Sequence, residues 1–325
     1  DHADPVIGSV ILHDKLKYWL SNDRSIHYHQ GMKAGDSTLN AVVAGQTALM
    51  LSSEYRDQQS LDDGAFGALL SAYVKFMTTP GSHGDTYAES FHREFFKDWV
   101  RAGSPVVSEE VLAFAESRCR RLSAGPVDHN VDSIGALVIP VAVVLHNVHL
   151  PTPDVVKHAV RLVNLTHCST NLVPYVELYV STLHSVLNGV SLRDKAQQAL
   201  ESPLLGGSST WKRAKKYSQA AARYAEGSEA RLRVCQEAVS HFGLACYIKG
   251  AITSMFFLAY EFHDNFEAGV LTNTNCGGEN CHRGAVLGAL LGAETGRAGR
   301  EIQPRFKSGI QSSQETIQDV LDAWK

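Results

Sequence analysis

The sequence predicts an all-α protein. Apolar residues recur mostly at the spacing of helices, and the alternation expected of strands is hard to find anywhere in the 325 residues. Prolines and glycines separate the periodic segments, as they do between helices. Hydrophobic residues make up 44% of the chain, which is enough to bury a substantial core.

The helices can be placed in order along the chain. Residues 39–51 are small and apolar on nearly every side, which favours a buried helix, and residues 66–77 have apolar side chains at i, i+3, i+4 and i+7 until a proline ends the pattern. Near the C-terminus, Ser312 and Glu315 have the spacing of a capping box ahead of an apolar face that includes Trp324. The same periodicity predicts helices over residues 155–165, 173–187, 228–239 and 248–262.

Charge and composition argue against two classes of protein. The net charge is −4 and the basic run at residues 211–216 is short, so the electrostatic footprint of a nucleic-acid binder is missing. The longest apolar stretch, residues 134–145, contains Pro140 and is too short to cross a bilayer. The six cysteines lack CxxC pairs and the density of a disulfide scaffold. Most are therefore predicted to be thiols, which favours a reducing compartment and leaves the organelle undetermined.

One stretch, from Thr272 to Ala293, joins a polar loop rich in Asn, Cys and His to a helix of small residues. The pair Gly277–Gly278 allows the backbone to turn at positive φ or to approach a ligand closely. Gly284, Gly288 and Gly292 recur every four residues and leave one face of the predicted helix nearly bare. Because a glycine inside a helix costs roughly 1 kcal/mol relative to alanine, this pattern indicates either a close helix crossing or access for a ligand.

This stretch resembles the C-terminal signature of the ADP-ribosylglycohydrolases, in which a Gly-Gly-Asp-x-Asp-Thr loop precedes a Gly-rich helix and supplies ligands to a two-magnesium centre. It is even more similar to the branch that contains the jellyfish J-type crystallins, whose loop has the form Asn-x-Asn-x-Gly-Gly-(Asp/Glu)-Asn-x-His-Arg-Gly. The resemblance runs from about His13 to about Gly309 and implies one domain over residues 1–325, folded as an orthogonal multi-helix bundle. Further matching segments follow in order: His27-Tyr28-His29-Gln30, Gly35-Asp36-Ser37-Thr38-Leu39-Asn40, Asp85-Thr86-Tyr87, His92-Arg93-Glu94-Phe95-Phe96 and His129-Asn130-Val131-Asp132.

The magnesium ligands of the family can be carried over only in part. Its N-terminal Thr-Asp-Asp-Thr run leaves Asp36 and Ser37 as oxygen ligands in this chain. The C-terminal run falls on Glu279, Cys281 and His282. Magnesium prefers oxygen ligands, whereas thiolate and imidazole favour softer divalent metals. Magnesium is therefore expected to be absent or weakly held.

Three interpretations of this site remain open, and all of them expect Asp36, Glu279, Cys281 and His282 to converge around one cleft. In the first, the four residues hold a softer metal ion. In the second, the site is poor in metal, and His282 and Glu279 perform acid–base catalysis, with Asp36 as a further catalytic candidate. In the third, the pocket binds a nucleotide-like ligand without turnover or has no ligand.

The resemblance also implies candidates for substrate binding, several of which have a structural alternative. Asp132 or Ser133 could simply cap the helix that follows. Tyr87 could stack on a base or ribose, but the alternative that Asp85 or Thr86 is the N-cap of a helix through His92 and Phe96 is favoured. The candidates are Tyr87, His129, Asp132, Asn273, Asn275, Gly277 and Gly278.

Other cysteines and histidines have ordinary explanations. Cys276 and Cys281 flank the two glycines, and their spacing does not match a haem attachment motif. A disulfide between them would require an oxidising compartment, so they are predicted to be two thiols. Isolated histidines are predicted to be exposed or hydrogen-bonded rather than ligands. These are His146, His149, His158 and His184.

Two functions follow as expectations. The first is a hydrolase that cleaves the N- or O-glycosidic bond of an ADP-ribose-like substrate at a degenerate metal site. The second is an inactive relative used as a structural or binding protein, in a crystallin-like role or as a subunit of an assembly, because a family fixes a fold better than a chemistry.

The opening residues bear on the choice between them. Members of the family begin with a Gly- and Asp-containing helix that supplies one wall of the cleft and a catalytic acidic residue. The sequence from Asp1 to Pro5 and onward to His27 shows no such helix, because it was removed or was never present. Little or no ADP-ribosyl hydrolysis by this chain alone is therefore expected.

Overall fold

The computed structural model describes residues 5–18, 29–56, 58, 60–123 and 129–323. These residues contain no strand, and their one extended pairing is an isolated antiparallel bridge between Ser133 and Tyr247. The prediction of an all-α protein is confirmed. The α-helices are α1 (Pro5–Ile7), α2 (Leu39–Glu54), α3 (Asp63–Thr78), α4 (Ser90–Arg101), α5 (Ser108–Ser123), α6 (Pro140–His146), α7 (Thr152–His167), α8 (Val173–Leu187), α9 (Leu192–Glu201), α10 (Ser208–Ala221), α11 (Glu229–Phe242), α12 (Ile248–Glu261), α13 (Phe266–Cys276), α14 (Asn280–Arg297), α15 (Pro304–Ser308) and α16 (Gln314–Ala323). The shorter helical segments are a π-helix at Gly8–Leu12 and 3-10 helices at His13–Tyr18, Ile134–Leu137, Thr170–Leu172 and Pro203–Leu205.

Hydrophobic periodicity located six of the long helices. The predicted segment 173–187 coincides with α8, and the others overlap α2, α3, α7, α11 and α12. The capping box at the C-terminus is wrong, because α16 begins at Gln314 and leaves Ser312 outside the helix. The Ser312 hydroxyl instead accepts a hydrogen bond from the Ser37 N–H at 2.7 Å. Trp324, placed on the same apolar face, lies outside the described residues.

The chain divides into two compact units. Unit 1 comprises Asp1–Val131, Arg161–Thr170 and Ser308–Lys325, and unit 2 comprises Asp132–Val160 and Asn171–Lys307. Helix α7 contributes residues to both units. A single domain over the whole chain stays a prediction, and the two units are described separately below.

Unit 1 has a core of aromatic side chains supplied by α4. Phe91, Phe95, Phe96 and Trp99 fall on one side of this helix and are all buried. Around it, α3 packs against α5, and α2 packs against α3 and α16. The indole N–H of Trp99 donates to the Pro105 carbonyl at 2.7 Å, which fixes the turn from α4 into α5.

A disulfide in unit 1 joins α5 to the residue that follows α7. Cys119 is bonded to Cys168, and beside it the Arg118 guanidinium donates to the Thr166 carbonyl at 2.9 Å. This pair was not recognisable in the sequence, because 49 residues separate its members and neither lies in a cysteine motif. The other four cysteines are thiols, as predicted for most of the six: Cys235, Cys246, Cys276 and Cys281.

Unit 2 is organised around α12. Every side chain from Ala251 to Ala259 is buried in this helix, and α8, α9, α11, α13 and α14 pack around it. The Tyr179 hydroxyl of α8 donates to the Val286 carbonyl of α14 at 3.0 Å. Burial raises the pKa of Tyr179, so this hydroxyl keeps its proton and the bond. None of the described helices has both the length and the apolar character needed to cross a membrane.

Of the four isolated histidines, His149 and His184 match the prediction, whereas His146 does not. His149 is exposed, and His184 bonds to the Thr152 hydroxyl and to a main-chain carbonyl, each at 3.0 Å. His146, by contrast, is buried, and its Nε2 atom has no hydrogen-bond partner among the described residues. Burial, with the nearby charges of His149 and His158, lowers the pKa of His146 and keeps it neutral.

Candidate functional site

The turn that carries Asp36 lies in unit 1 and is fixed by its backbone. The Asp36 carboxylate accepts the Lys33 N–H at 2.7 Å, which closes the turn. Gly35 has a φ of 93°, a conformation that glycine adopts without strain. The Gly35 carbonyl and the Ser37 N–H bond to residues 311–312 at 2.9 and 2.7 Å. The Asp36 side chain is exposed, so its carboxylate stands on the surface of unit 1 at a defined position.

Asp85 joins this turn to a second motif. Its buried carboxylate accepts the Leu39 N–H at 2.7 Å and the Tyr87 N–H at 3.0 Å. Leu39 begins α2, so Asp85 satisfies one of the N–H groups that a helix start leaves without an intrahelical partner. The predicted alternative, Asp85 or Thr86 as the N-cap of the following helix, is wrong because α4 begins at Ser90.

Asp85 also forms a couple with a histidine. Its Oδ1 atom lies 2.8 Å from His29 Nδ1, and the two side chains are 2% and 18% exposed, respectively. The Tyr87 ring packs edge-on against the imidazole, with 5.7 Å between centroids. A carboxylate that holds one ring nitrogen fixes the orientation and tautomer of the imidazole. The matching residues His27 and Tyr28 lie outside the described residues.

A buried chain of hydrogen bonds runs beside this couple. Tyr73 Oη lies 2.6 Å from His92 Nδ1, His92 Nε2 lies 2.9 Å from Asn40 Oδ1, and Asn40 Nδ2 donates to Glu89 at 2.5 Å. Burial raises the pKa of Tyr73 well above its usual value, although the charge of Arg118 opposes the shift. The Tyr73 hydroxyl therefore stays protonated and donates a hydrogen bond to His92 Nδ1, and the N–H at His92 Nε2 donates one to Asn40 Oδ1. This network ties α2, α3 and α4 together.

In unit 2 the predicted loop is mostly helix. α13 extends to Cys276 and α14 begins at Asn280, so only residues 277–279 connect them. The expectation of a long polar loop from Thr272 is wrong, because the Asn275 amide and other polar groups of this segment bond back along α13. Asn275 Nδ2, for example, donates to the Leu271 carbonyl at 2.8 Å.

Glu279 is the N-cap of α14. Its Oε1 atom accepts the His282 N–H at 3.0 Å and lies 3.2 Å from His282 Nδ1. Burial alone would raise the pKa of Glu279, but the hydrogen bonds and charge of His282, with the charge of Arg283, lower it below its usual value. Glu279 is therefore an ionised carboxylate with one oxygen engaged in the cap. Its side chain is 21% exposed.

The buried Arg283 side chain stabilises the turn between α13 and α14 through hydrogen bonds. The side chain is fully buried, and it donates to Asn273 Oδ1 at 2.7 Å and to the Gly277 carbonyl at 2.8 Å. Asn273 is 1% exposed, and its amide nitrogen donates to the Asn280 carbonyl at 2.9 Å. Asn273, predicted to bind substrate, therefore holds the turn and presents almost no surface to a ligand.

The glycine face of α14 is only partly explained by close packing. A Cβ atom at Gly284 would lie 2.8 Å from the Asn273 amide, so a side chain there would displace the turn. A Cβ at Gly292 would make an ordinary contact with Ile302 at 3.7 Å, and one at Gly288 would meet no described atom within 4 Å. The predicted close helix crossing is therefore limited, within the described residues, to Gly284.

The two glycines of the turn allow a test of this geometry. Gly278 has a φ of 65° and an added Cβ would collide with the Leu244 carbonyl oxygen, which accepts the Glu279 N–H at 2.8 Å. Gly277 has a φ of 70° but open space around it. Gly278→Ala should lower the free energy of unfolding by about 3 kcal/mol and Gly277→Ala by about 1 kcal/mol, measured in urea. Equal losses of unfolding free energy in the two variants would show that backbone strain at positive φ, and not the contact with Leu244, determines the cost of a Cβ atom in this turn.

The remaining candidates are separate from these clusters. His129 is exposed in unit 1, and Cys281 is exposed at the start of α14 in unit 2. Asp132 Oδ2 accepts the Asn171 amide N–H at 3.0 Å in unit 2. Ser133 stands at the N-cap position of the 3-10 helix Ile134–Leu137, as the alternative predicted, but its side chain makes no capping hydrogen bond.

The comparison with known proteins decides the family. The model of the ADP-ribosylglycohydrolase family matches residues 12–324, nearly the whole chain. The chain belongs to the ADP-ribosylglycohydrolase family. A search of curated proteins found no match. Placement in the crystallin branch stays a prediction.

Membership of the ADP-ribosylglycohydrolases raises the question of a metal centre. Among the described residues, no three or more His, Cys, Asp or Glu side chains are grouped so that they could hold a metal ion. Asp36 and Glu279 direct carboxylate oxygens to a backbone turn and to a helix cap, respectively. The residues present do not fit a metal centre within either unit, so no catalytic step is derived through one. The convergence of Asp36 with Glu279, Cys281 and His282 stays a prediction.

The His29–Asp85 couple was not predictable from the sequence of this member of the ADP-ribosylglycohydrolase family. In the sequence, His29 belongs only to a segment that matches the family, and Asp85 is a candidate N-cap. The partners are 56 residues apart, and no spacing rule connects them. The available signal was the presence of both residues in segments that match the family.

Proposed function

We propose that this chain hydrolyses the glycosidic bond of ADP-ribose-type substrates with Glu279 as the general base. Family membership supports the substrate class. The observation that supports this role is the geometry of Glu279, whose Oε1 atom is held by a hydrogen bond at the N-terminus of α14. Its partly exposed carboxylate has a second oxygen, Oε2, for which the described residues supply no hydrogen bond.

In the proposed reaction, Glu279 Oε2 accepts a proton from water while the water oxygen bonds to the anomeric carbon of the ribose. The glycosidic bond breaks, and the released alcohol or amine takes up a proton from solvent. His282 contributes by fixing Oε1 through its backbone N–H, which leaves Oε2 at a defined position. General-base catalysis of this kind contributes about 10²–10⁴-fold to a rate.

The test compares release of ADP-ribose from O-linked and N-linked ADP-ribosyl peptides by the purified chain. Glu279→Gln should lower the rate at least about 100-fold, since glutamine can still accept the His282 N–H but cannot act as a base. Glu301→Gln, at an exposed glutamate outside the site, is the matched control and should keep the full rate. The same assay with a chelator decides whether a metal takes part.

A second candidate is a binding or structural protein without turnover. It is favoured by the absence, among described residues, of a group that could hold a metal, and by the engagement of Asp36 and Glu279 in a turn and a cap. Binding of ADP-ribose without hydrolysis would support this role.

Hydrolysis that survives Glu279→Gln would exclude the proposed base while leaving the family activity in place.

A further inference from the structure

Unit 1 contains a groove of about 760 Å³, and its lining residues are distinct from the candidate-site residues described above. It lies between the C-terminal end of α4, the turn that follows it and one face of α5. This volume is within the range of pockets that bind small molecules, about 300–1,000 Å³. Its walls combine charged and apolar side chains, among them Asp98, Arg101, Phe114, Arg118 and Arg121.

Three arginines in the groove share one carboxylate. Asp98 Oδ2 lies 3.0 Å from Arg118 Nε and 2.9 Å from Arg121 Nη2, and Asp98 Oδ1 lies 3.3 Å from Arg101 Nη1. The three arginines carry three positive charges, and the two carboxylates of the lining, Asp98 and Glu110, carry two negative charges. The lining therefore has a net charge of +1. An anion entering the groove would meet an excess of guanidinium donors.

The arginines differ in how far they are committed to the fold. Arg118 is 2% exposed and also donates to the Thr166 carbonyl and lies 3.1 Å from Cys168 Sγ. The side chains of Arg101 and Arg121 are 75% and 60% exposed, and Asp98 is the one described partner of each. Each therefore has further N–H donors that can reach a ligand, because a guanidinium has five.

The walls that would hold the rest of a ligand are apolar and fixed. Ser104 has a φ of 58°, and the turn it belongs to is held where Trp99 donates to the Pro105 carbonyl at 2.7 Å. On the opposite wall, the Phe114 ring packs against Phe95 with 5.3 Å between centroids. Because this ring and this turn are already held in place, ligand binding loses less conformational entropy in ordering the site.

We propose that this groove binds a small phosphate monoester, with the phosphate between Arg101 and Arg121 and the organic group against Phe114 and Pro105. Planar guanidinium groups bind phosphate oxygens through paired, charge-assisted hydrogen bonds. A phosphate group can share the arginines with Asp98, and its negative charge offsets the net positive charge of the lining. The proposal concerns unit 1 alone and does not depend on the glycosidic hydrolysis proposed above.

The experiment measures binding of phenyl phosphate and of inorganic phosphate to the full chain by calorimetry at low ionic strength. Phenyl phosphate should bind at least about tenfold more tightly, since its ring contacts the apolar wall. Arg121→Gln and Arg101→Gln should each weaken phenyl phosphate binding about tenfold. Both side chains are exposed, so neither change is expected to unfold the chain.

Two further variants make the result specific. Arg120→Gln removes an arginine on the same helix that is 72% exposed and outside the groove, and it should leave binding unchanged. Asp98→Asn removes the competing carboxylate and should tighten phenyl phosphate binding, an effect that a damaged fold cannot produce. Absence of binding at millimolar concentrations, or an equal loss in Arg120→Gln and Arg121→Gln, would overturn the proposal. Equal affinities for the two ligands would overturn the assignment of an ester.

Discussion

Replacing Arg283 with alanine should lower the free energy of unfolding by about 3–5 kcal/mol. The side chain is fully buried and supplies donors to Asn273 and to the Gly277 carbonyl, so alanine leaves both acceptors without their partner and leaves a cavity. Desolvation by burial lowers the pKa of Arg283, although the nearby Cys276 and Glu279 oppose the shift. Urea denaturation followed by circular dichroism measures the loss.

Two companion variants separate the causes. Arg283→Met fills the space without a charge, so it should cost less than alanine, especially since Arg283 Nη1 has no hydrogen-bond partner among the described residues. Arg300→Ala changes an exposed arginine and should shift stability by no more than about 0.5 kcal/mol. A loss below about 1 kcal/mol in Arg283→Ala would show that this side chain does not hold the α13–α14 turn.

The protein should lose stability in mild acid because of His167. Burial, followed by the charge of Arg118, lowers the pKa of His167 to about 3 in the folded chain, against about 6.5 when unfolded. Between these values the unfolded state binds more protons, so the stabilisation is fully present above pH 6.5 and falls as the pH decreases toward 3. The loss between pH 6.5 and 4 should be about 3 kcal/mol, at 1.36 kcal/mol for each pH unit.

His167→Phe should remove this dependence. The imidazole stacks on Phe91 at 3.9 Å and 20°, so a phenyl ring can occupy the same place without a group that titrates. His241→Asn, at an exposed histidine, should keep the acid sensitivity of the unmodified chain. Unfolding free energies of the three proteins at pH 7 and pH 4 measure the difference. The prediction fails if His167→Phe and the unmodified chain lose the same amount.

The fold was predictable because helical burial leaves a periodic trace in the sequence. The pattern over residues 173–187 gave α8 to the residue, and the all-α class followed from many such segments. The α13–α14 region was not predictable in the same way. Polar residues such as Asn273 look like loop residues until the buried partner is known, and here the partner is Arg283.

The candidate site was predictable only as a set of segments. Matching motifs pointed to Asp36 and Glu279, but the sequence could not show that these carboxylates close a turn and cap a helix. The bond between His29 and Asp85 depends on two segments folding against each other, so no local pattern contains it. Likewise, the groove arginines lie on two helices, and no sequence motif connects them.

The order of segments in unit 1 has a consequence during synthesis on the ribosome. Unit 1 takes residues from three parts of the chain, and α16, which packs on α2, belongs to the last of them. All of unit 2 precedes Ser308. The emerging polypeptide therefore contains every residue of unit 2 before unit 1 can acquire α16. Until α16 has been synthesised, the surface of α2 that packs against α16 lacks this partner. The start of α2, where Asp85 accepts the Leu39 N–H, precedes α16 in the chain.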